Sequence, residues 1–265
     1  MTDMFKIVLD SYWRQARLYP ALLATLPCLV VVIAFWPQLL APTVTKGVIA
    51  FASSLGVLYA MAAFARSRGK RTEKRLLKSW GGWPTTIWLR HRSGLLQPQT
   101  TARYHQYLTK HVPGLVQPSA SEETCEPENA DMQYASAVEW LKEQCRGKNF
   151  PLVEKENAEY GFRRNLRGMR PVGLSLCALG VVLPVVTLEY LVGPSTSFTA
   201  FFEPPHIWAL FSYSWAGAAA VFNAVTAVTW LVVVDDAWVR EAADQYARAL
   251  LANCDAVAAK RTKKI

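Results

Sequence analysis

The chain has 265 residues, enough for one or two domains, and 52% of them are hydrophobic, which is too apolar for a typical soluble protein. Lysine and arginine number 29 against 20 aspartate and glutamate residues, giving a formal net charge of +9. The apolar residues are also clustered, and the basic residues lie mostly between the clusters. This combination predicts a protein with some segments inside a membrane and with basic segments, outside the bilayer, that face anions.

Residues 1–17 predict an amphipathic helix at the membrane interface. Phe5, Val8 and Tyr12 fall on one face at helical spacing, while Lys6 and Arg14 fall elsewhere. The helix leads directly into the first apolar run. No small-residue cleavage pattern precedes Pro37, so we expect this run to act as a signal anchor and not as a cleaved signal peptide.

Four apolar runs predict four transmembrane helices. Each is near the ~20 residues needed to cross a ~30 Å hydrocarbon core. The runs cover about 18–36, 47–65, 172–192 and 207–234. The first and second form a predicted hairpin over 18–66, and the third and fourth a second hairpin over 171–235. Pro27 lies in mid-membrane, where a kink would suit either a gate or passive packing.

The basic residues predict the orientation of these helices. The outer connections, 37–46 and 193–206, contain one lysine, Lys46, and one acid, Glu203, whereas the segment 67–170 contains most of the arginines and lysines. By the positive-inside rule, both termini and the segment 67–170 lie in the cytoplasm. The predicted fold is therefore an all-α, multi-pass protein of the bacterial inner membrane. A mainly helical cytoplasmic domain is inserted between helices 2 and 3.

The first half of the cytoplasmic domain begins as a basic helix that continues the second span beyond Arg66. The stretch 80–86 is a predicted turn, because Gly81 and Gly82 permit unusual backbone angles and Pro84 ends any helix. Residues 87–92 are short and apolar, and their pattern fits a strand or a helical turn equally well. Thr100–His111 is a predicted helix, with Thr100 or Thr101 as its cap.

The second half of this domain has a loop, a helix and a return to the membrane. We predict a loop over 113–127 and a helix over 129–146, with Met132, Ala135, Val138 and Leu141 on its apolar face. After the fourth span, residues 236–265 predict a cytoplasmic helix and a basic tail. Trp238, Ala242, Tyr246 and Leu250 share one stripe of that helix.

An enzyme is not predicted. The histidines and cysteines of the cytoplasmic segment match no metal-binding spacing, and no glycine-rich phosphate loop or G-x-S-x-G motif is present. We expect no cofactor and no metal ion. The five cysteines show no C-x-x-C pair, so we expect free thiols.

Basic and aromatic residues form a predicted collar for an anionic ligand. Guanidinium and ammonium groups bind phosphate, and flat aromatic rings stack on bases, a pairing used by binders of single-stranded nucleic acid. The alternative is anchoring to lipid headgroups with an aromatic belt. The candidate residues are Lys70, Arg71, Lys74, Arg75, Trp80, Trp83, Arg90, Arg92, Tyr160, Phe162, Arg163, Arg164, Arg167 and Arg170.

Polar residues of the fourth span are candidates for a pore or gate: Ser212, Asn223, Thr226, Asp235 and Asp236. Ser212, Asn223 and Thr226 belong to a stripe of small and polar residues that suits helix packing or a pore lining. The two aspartates suit a cation-conducting mouth or a static ion pair with the arginines of 163–167. A pore would require a homo-oligomer, and we assign a tetramer.

Three stretches resemble a family of bacterial four-span proteins. They are Lys78–Arg92 with its W-G-G-W-P-T-T core, Tyr104–Leu108, and Glu156–Leu166 with its E-Y-G-F-R-R-N run. The family is similar to membrane effectors of nucleotide-signalling antiphage systems, of the Hailong type. The resemblance implies an oligomeric channel held closed by an oligodeoxyadenylate that a partner nucleotidyltransferase makes.

The resulting prediction is a homo-oligomeric inner-membrane ion channel in antiphage defence, controlled by an anionic oligonucleotide such as single-stranded DNA. Its partners would be the lipid bilayer, further copies of itself, that ligand and a nucleotidyltransferase. The alternative is a structural or scaffolding membrane protein whose basic cytoplasmic face binds lipid or a soluble partner.

Overall fold

A computed structural model describes residues 10–35, 44–147, 149–192 and 214–255 of the chain. These residues form helices and no strands, which confirms the all-α prediction. The chain divides into two compact units. The apolar unit comprises Met1–Thr72 and Phe162–Trp238, and the polar unit comprises Glu73–Gly161 and Val239–Ile265.

The described residues contain nine α-helices. They are α1 Ser11–Phe35, α2 Val44–Trp80, α3 Pro84–Ile87, α4 Pro98–His111, α5 Ala120–Cys125, α6 Pro127–Gln144, α7 Pro151–Val192, α8 Ser214–Val232 and α9 Asp236–Leu251. Within α1, the segment Arg14–Leu18 is π-helical. Residues 1–9 of the predicted amphipathic helix, the predicted outer connection 193–206 and residues 256–265 of the basic tail lie outside the described residues. Of the other predicted outer connection, 37–46, residues 44–46 are helical and belong to α2.

Three described helices are long and apolar enough to cross a membrane: Ser11–Phe35, Pro151–Pro184 and Trp215–Val232. Their surfaces agree with this, because large apolar side chains are exposed along them. On α8, for example, Val221, Val225, Val228 and Val232 are each at least half exposed and recur at helical spacing. Helix α2 continues from the predicted second span into the basic stretch, as expected. Whether it is a span remains a prediction, since the side chains of residues 44–55 lie outside the description.

Helix α7 packs closely on α2 and α8 through small residues. A β carbon at position 168 would lie 2.6 Å from the backbone carbonyl carbon of Arg68, so the two helices touch backbone to backbone there. A β carbon at position 173 would lie 2.7 Å from the ring of Trp230. Small residues allow such close approach of helices in lipid, where packing replaces the hydrophobic effect as the driving force. The predicted hinge at 154–171 is thus one uninterrupted stretch of α7, with Pro171 inside it.

The polar unit is built around the facing surfaces of α4, α6 and α9. Tyr104, Leu108 and Val112 are buried, as the spacing of that helix predicts. From α6 the core receives Tyr134 and Leu141, together with neighbouring small residues. From α9 it receives Leu250 and Leu251, with Tyr246 partly buried against them. Burying these side chains away from water is the main stabilising contribution to this unit.

The buried face of helix α6 differs from the predicted apolar face. Met132 is 64% exposed, whereas Tyr134 is 1% exposed and belongs to the core. The prediction was wrong at Met132 because hydrophobicity alone ranked methionine above tyrosine. The hydroxyl of Tyr134 is satisfied by a buried partner, which allows the ring to be fully buried.

Two further expectations in the polar unit were wrong. Helix α4 begins at Pro98 with Gln97 before it, so neither Thr100 nor Thr101 is its cap. Proline suits the first helical position because its missing N–H has no partner there in any case. The predicted loop 113–127 contains α5, whose start is a capping box between Ser119 and Glu122.

The turn after α2 forms as predicted at Gly81 and Gly82, which both have positive φ. The Gly82 N–H donates to the Leu77 carbonyl at 3.0 Å, which closes the end of the helix. Pro84 then begins α3 instead of only ending a helix. For residues 87–92 the helical alternative holds in the described chain, because α3 is followed by a short 3₁₀ turn at His91–Ser93.

A buried carboxylate joins α5 to the rest of the polar unit. Glu123 is 1% exposed. It accepts hydrogen bonds from the Tyr134 hydroxyl at 2.6 Å and from the backbone N–H groups of His91 at 2.8 Å and Arg92 at 3.2 Å. The Arg92 guanidinium lies 3.3 Å from the same carboxylate. Four glutamates lie within residues 122–128, and of these Glu123 is the one that is buried.

Acid should destabilise the polar unit in two steps. Burial lowers the pKa of His105 from its ordinary 6.5. Burial alone would raise the pKa of Glu123, but its hydrogen bonds and Arg92 lower it overall from 4.5. Both groups bind more protons in the unfolded chain, so stability falls as the pH drops, first below 6.5 for His105 and then below 4.5 for Glu123.

The measurement is the melting temperature of detergent-purified protein across this pH range. The variant His105→Phe keeps a ring beside Tyr134 but cannot be protonated, so its melting temperature should depend less on pH in the upper step. An unchanged slope in His105→Phe would contradict the assignment of that step.

Candidate anion-binding surface

The predicted ligand residues are divided between the two units, and each unit is considered separately. The apolar unit holds Lys70, Arg71, Phe162, Arg163, Arg164, Arg167 and Arg170. The polar unit holds Lys74, Arg75, Trp80, Trp83, Arg90, Arg92 and Tyr160.

In the apolar unit, three of the four α7 arginines fasten the end of α8 and the start of α9. Arg170 donates to the carbonyls of Val234 at 3.1 Å and Leu231 at 3.2 Å. Arg167 forms an ion pair with Asp236 at 2.7 Å. Arg163 donates to the Trp238 carbonyl at 3.0 Å. Arg170 suits the end of α8, because the last carbonyls of a helix lack partners and carry the negative end of its dipole.

Phe162, the aromatic candidate in this unit, also makes contacts within the unit, as does Arg163 with the ring of Trp238. The guanidinium of Arg163 lies 4.9 Å from the centre of the Trp238 ring. Phe162 meets the same ring edge to face, with centroids 6.1 Å apart. Phe162 packs against the buried cluster of the apolar unit and is not presented as an open stacking surface.

In the polar unit, Arg90 and Arg92 face carboxylates of the same unit. Arg90 binds Asp131 through two nitrogens, each at 2.7 Å, and donates to the Gly81 carbonyl at 2.8 Å. Arg92 contacts Glu123 and Asp131 at 3.3 Å each. A paired fork of this kind fixes the orientation of both groups. These two arginines hold the polar unit together in the structure.

The tryptophans of the predicted stacking set are covered by cations of the polar unit. The Arg240 guanidinium lies 5.1 Å from the Trp80 ring, and Lys142 lies 5.5 Å from the Trp83 ring. Trp83 remains 43% exposed. Tyr160 is buried and donates its hydroxyl hydrogen to Glu73 at 2.8 Å. Of this aromatic set, Trp83 has the largest open surface.

The basic residues of α2 remain at the surface. Lys70, Arg71, Lys74 and Arg75 are all exposed. Lys70 and Lys74 follow Arg66 at successive intervals of four, so these three side chains lie along one face of the helix.

Three arginines from three helices come together in the apolar unit, and we call them the arginine junction: Arg17 of α1, Arg66 of α2 and Arg164 of α7. Arg17 is near enough to the other two for their positive charges to repel it. Arg17 and Arg164 are half buried, and Arg66 is exposed. The candidate ligand residues included Arg164 but neither Arg17 nor Arg66, although Arg66 begins the basic stretch 66–78 on which the predicted collar was based.

Asn165 holds the helices of the arginine junction in place. Its side chain is fully buried and donates to the Ala16 carbonyl, in the π-helical segment of α1, at 2.6 Å. Its oxygen accepts from Nε of Arg164 at 3.2 Å. The same side chain lies directly against Gly69 of α2. One buried amide thus touches all three helices, and π-helical turns are frequent at functional sites.

A signal for Asn165 is present in the sequence. Gly161, Asn165 and Gly168 recur at steps of four and three, which places a small-and-polar stripe on the face of α7 that is buried. Arg17 and Arg66 end the polar stretches beside the first and second apolar runs. Their convergence depends on the packing of α1 against α2 and α7, which spacing within one helix does not define.

Among the candidate pore residues, Asn223 is fully buried within the apolar unit. Its nitrogen donates to the Ala219 carbonyl at 2.8 Å and lies 3.5 Å from the Pro27 carbonyl. The amide also fits directly against Gly180. Thr226 donates to the Phe222 carbonyl at 2.7 Å. This arrangement favours the packing alternative for Asn223, while Ser212 lies outside the described residues.

The two aspartates at the end of α8 have separate partners. Asp235 accepts from the Trp238 N–H at 2.7 Å and so caps α9. Asp236 pairs with Arg167, which corresponds to one of the two alternatives left open by the sequence, and its side chain remains 48% exposed. The ion-pair alternative is therefore present for Asp236, and a role at a cation-conducting mouth stays a prediction.

No group of three or more metal-ligating side chains occurs among the residues that the structure describes. His105 is buried and its Nε2 bonds with the Leu89 carbonyl at 2.8 Å, a structural contact. All five cysteines are free thiols, as predicted. Burial raises the pKa of Cys145 to about 11 and that of Cys254 to about 12.

No family model matches the chain, and comparison with curated proteins and with solved structures gives no significant match. The resemblance to channel effectors of antiphage systems therefore stays a prediction.

Proposed function

We propose that this chain is a four-span protein of the bacterial inner membrane that forms a homo-oligomeric ion channel controlled by an anionic ligand. Both termini and the segment 67–170 would lie in the cytoplasm. The observation that carries the proposal is the arginine junction, where three like charges from three helices meet beside a buried amide. Such a site is suited to an anion, which would turn mutual repulsion into shared attraction.

The helices that bear the junction support a link between ligand and membrane. Two of them, α1 and α7, are apolar enough to span a bilayer, and α2 contains the second predicted span. A ligand held by all three would favour one arrangement of these helices over another. It can shift that equilibrium only by its difference in affinity for the two states.

Other observations support the proposals that the protein is an ion channel and that its ligand is an oligonucleotide. Within the polar unit, the exposed α2 cations Lys74 and Arg75 and the exposed part of Trp83 suit a phosphate chain with bases. The ion path, the antiphage role, the nucleotidyltransferase partner and the tetramer come from the resemblance and from the polar residues of the fourth span. Within that proposal, single-stranded DNA oligomers are the ligand to test first.

A structural membrane protein is the second candidate. It is favoured by the α7 arginines Arg163, Arg167 and Arg170, which all make contacts within the apolar unit. The burial of Asn223 between helices points the same way. Under this interpretation the remaining basic residues meet only lipid headgroups.

The proposed topology can be tested with a native cysteine. Cys125 is exposed in the polar unit, whereas Cys145 and Cys254 are buried. A membrane-impermeant maleimide should therefore label Cys125 in inverted membrane vesicles and not in intact spheroplasts. The Cys125→Ser variant is the control, because it should lose the label, and Cys28→Ser should keep it. Labelling from the outside of spheroplasts would contradict the cytoplasmic placement.

Electrical recording separates the two candidate functions. Purified protein in planar bilayers should conduct ions, and a short oligodeoxyadenylate should change the open probability, with a weaker effect at high salt. A structural protein should give no conductance with or without the oligomer. A conductance that does not change when the oligomer is added would support the channel and contradict the proposed ligand.

A further inference from the structure

The arginine junction has the charge of an anion site. Arg17, Arg66 and Arg164 lie on three helices that meet at the side chain of Asn165, which contacts Ala16 of α1 and Gly69 of α2. The positive charges of Arg66 and Arg164 both act on Arg17. The carboxylate of Asp10 also acts on Arg17, as does the Tyr12 side chain. That carboxylate accepts from the Trp13 N–H at 3.1 Å, where it caps the start of α1. Among the described groups that act on Arg17 there are therefore two guanidinium groups and one carboxylate.

Neither Arg17 nor Arg66 forms an ion pair within the described ranges of the chain. This distinguishes them from Arg167, which is paired with Asp236 at 2.7 Å. Guanidinium groups present a planar fork of N–H donors that matches the oxygens of a phosphate. Their positive charge is also permanent at any physiological pH. The chemistry of this donor set fits a phosphate group better than a carboxylate, because several forks can share its oxygens.

The backbone beneath the junction is held tightly. Asn165 joins α7 to the Ala16 carbonyl at 2.6 Å, one residue before Arg17. Nε of Arg68 lies 3.4 Å from the Gly168 carbonyl, where α2 and α7 touch. The positions from which the three arginines extend are thereby fixed before any ligand arrives. Preorganisation of this kind lowers the entropy cost of binding.

We propose that Arg17, Arg66 and Arg164 form a phosphate-binding site. The phosphate can come from an anionic lipid headgroup, since α1 becomes apolar directly after Arg17, or from a soluble phosphodiester such as an oligonucleotide. This inference depends on the proposed function in one respect only, namely that binding at the site controls the ion path through the membrane. The binding itself depends on the geometry of the junction alone.

The variants Arg66→Gln and Arg17→Gln test the site, and Arg146→Gln is the matched control. Arg146 carries the same charge and is 75% exposed, but it belongs to the polar unit and pairs with Glu143, three residues earlier in the chain. The first probe is a fluorescent oligodeoxyadenylate, followed by anisotropy in detergent. The second is phosphatidylglycerol, compared with phosphatidylcholine, followed by the rise in melting temperature that lipid binding causes.

Each junction variant should weaken binding of at least one probe by about tenfold, the loss expected for one charge-assisted contact. The dependence of oligomer affinity on salt concentration should also become weaker, by roughly the contribution of one phosphate contact. Arg146→Gln should bind both probes as the unchanged protein does. Loss confined to phosphatidylglycerol identifies the lipid as the source, and loss confined to the oligomer identifies the soluble phosphate.

Unchanged affinity for both probes in Arg66→Gln and Arg17→Gln would overturn the proposal. If these variants do not give folded protein, Arg66→Lys replaces them, because it keeps the charge and loses the fork. It should still bind several-fold more weakly, and full affinity in Arg66→Lys would also overturn the site. Phosphate binding without any conductance would leave the site standing and remove the channel. A normal response of the conductance to the oligomer in Arg66→Gln would leave the channel standing and contradict the junction as the binding site of the oligomer.

Discussion

Replacing Gly168 with alanine should destabilise the apolar unit by about 1–3 kcal/mol, the usual cost of inserting an extra group into a close-packed contact. The new β carbon would lie 2.6 Å from the carbonyl carbon of Arg68 and 2.6 Å from the amide nitrogen of Gly69. Both neighbours are backbone atoms, so no side-chain rotation can relieve the clash. The two helices must separate, and the Asn165 contact with Ala16 should weaken with them.

The control is Gly56→Ala on α2, where nothing lies within 4 Å of the added carbon. Its melting temperature in detergent should match that of the unchanged protein, or rise slightly, since alanine favours helices more than glycine does. Equal melting temperatures for both variants would show that α2 and α7 do not touch at Gly168.

Replacing Glu123 with alanine should cost the polar unit about 3–5 kcal/mol, the range for breaking a buried charged pair by removing one partner. The Tyr134 hydroxyl and the backbone N–H groups of His91 and Arg92 would lose their acceptor together. Tyr134 is 1% exposed, so its hydroxyl has little access to water as a substitute. Unsatisfied buried donors carry their full cost of desolvation.

The matched variant is Glu139→Ala, which removes a carboxylate that is 71% exposed and that, among the described residues, pairs with Lys142 on the same helix. It should change the stability by less than about 1 kcal/mol, as surface ion pairs do. The comparison can use melting followed by tryptophan fluorescence, because the polar unit contains several tryptophans. A similar small loss in Glu123→Ala would contradict the structural role of this carboxylate.

The elements with strong periodicity could be predicted from the sequence. Apolar runs gave the long helices, and the spacing of Tyr104, Leu108 and Val112 gave the buried face of α4. The pairing of Arg167 with Asp236 followed from charges placed at the ends of neighbouring apolar runs. Such patterns depend on local geometry, which spacing defines directly.

One error arose where the partner of a side chain lies on another helix, and two arose where a local rule was not applied. Tyr134 is buried because Glu123 accepts its hydroxyl hydrogen, a contact that hydrophobicity does not reveal. The helix α5 could have been found, since Ser119 and Glu122 have the spacing of a capping box. The start of α4 at Pro98 follows an equally local rule for proline.

The candidate site changed more than the fold did. A basic collar was predicted from the number of cations, but contacts inside each unit engage Arg90, Arg92, Arg163, Arg167 and Arg170. The arginine junction is smaller, and two of its members were outside the predicted set. Density of charge along a sequence indicates an anion-binding class, but packing decides which charges face each other.

The most direct test of the account is a planar-bilayer recording of the purified protein beside its Arg66→Gln variant. We expect both proteins to conduct ions. We expect a short oligodeoxyadenylate to alter the open probability of the unchanged protein at about tenfold lower concentration than it alters the variant. Arg146→Gln should respond as the unchanged protein does. No conductance from any of the three proteins, or an equal response in all of them, would contradict anion control through the arginine junction.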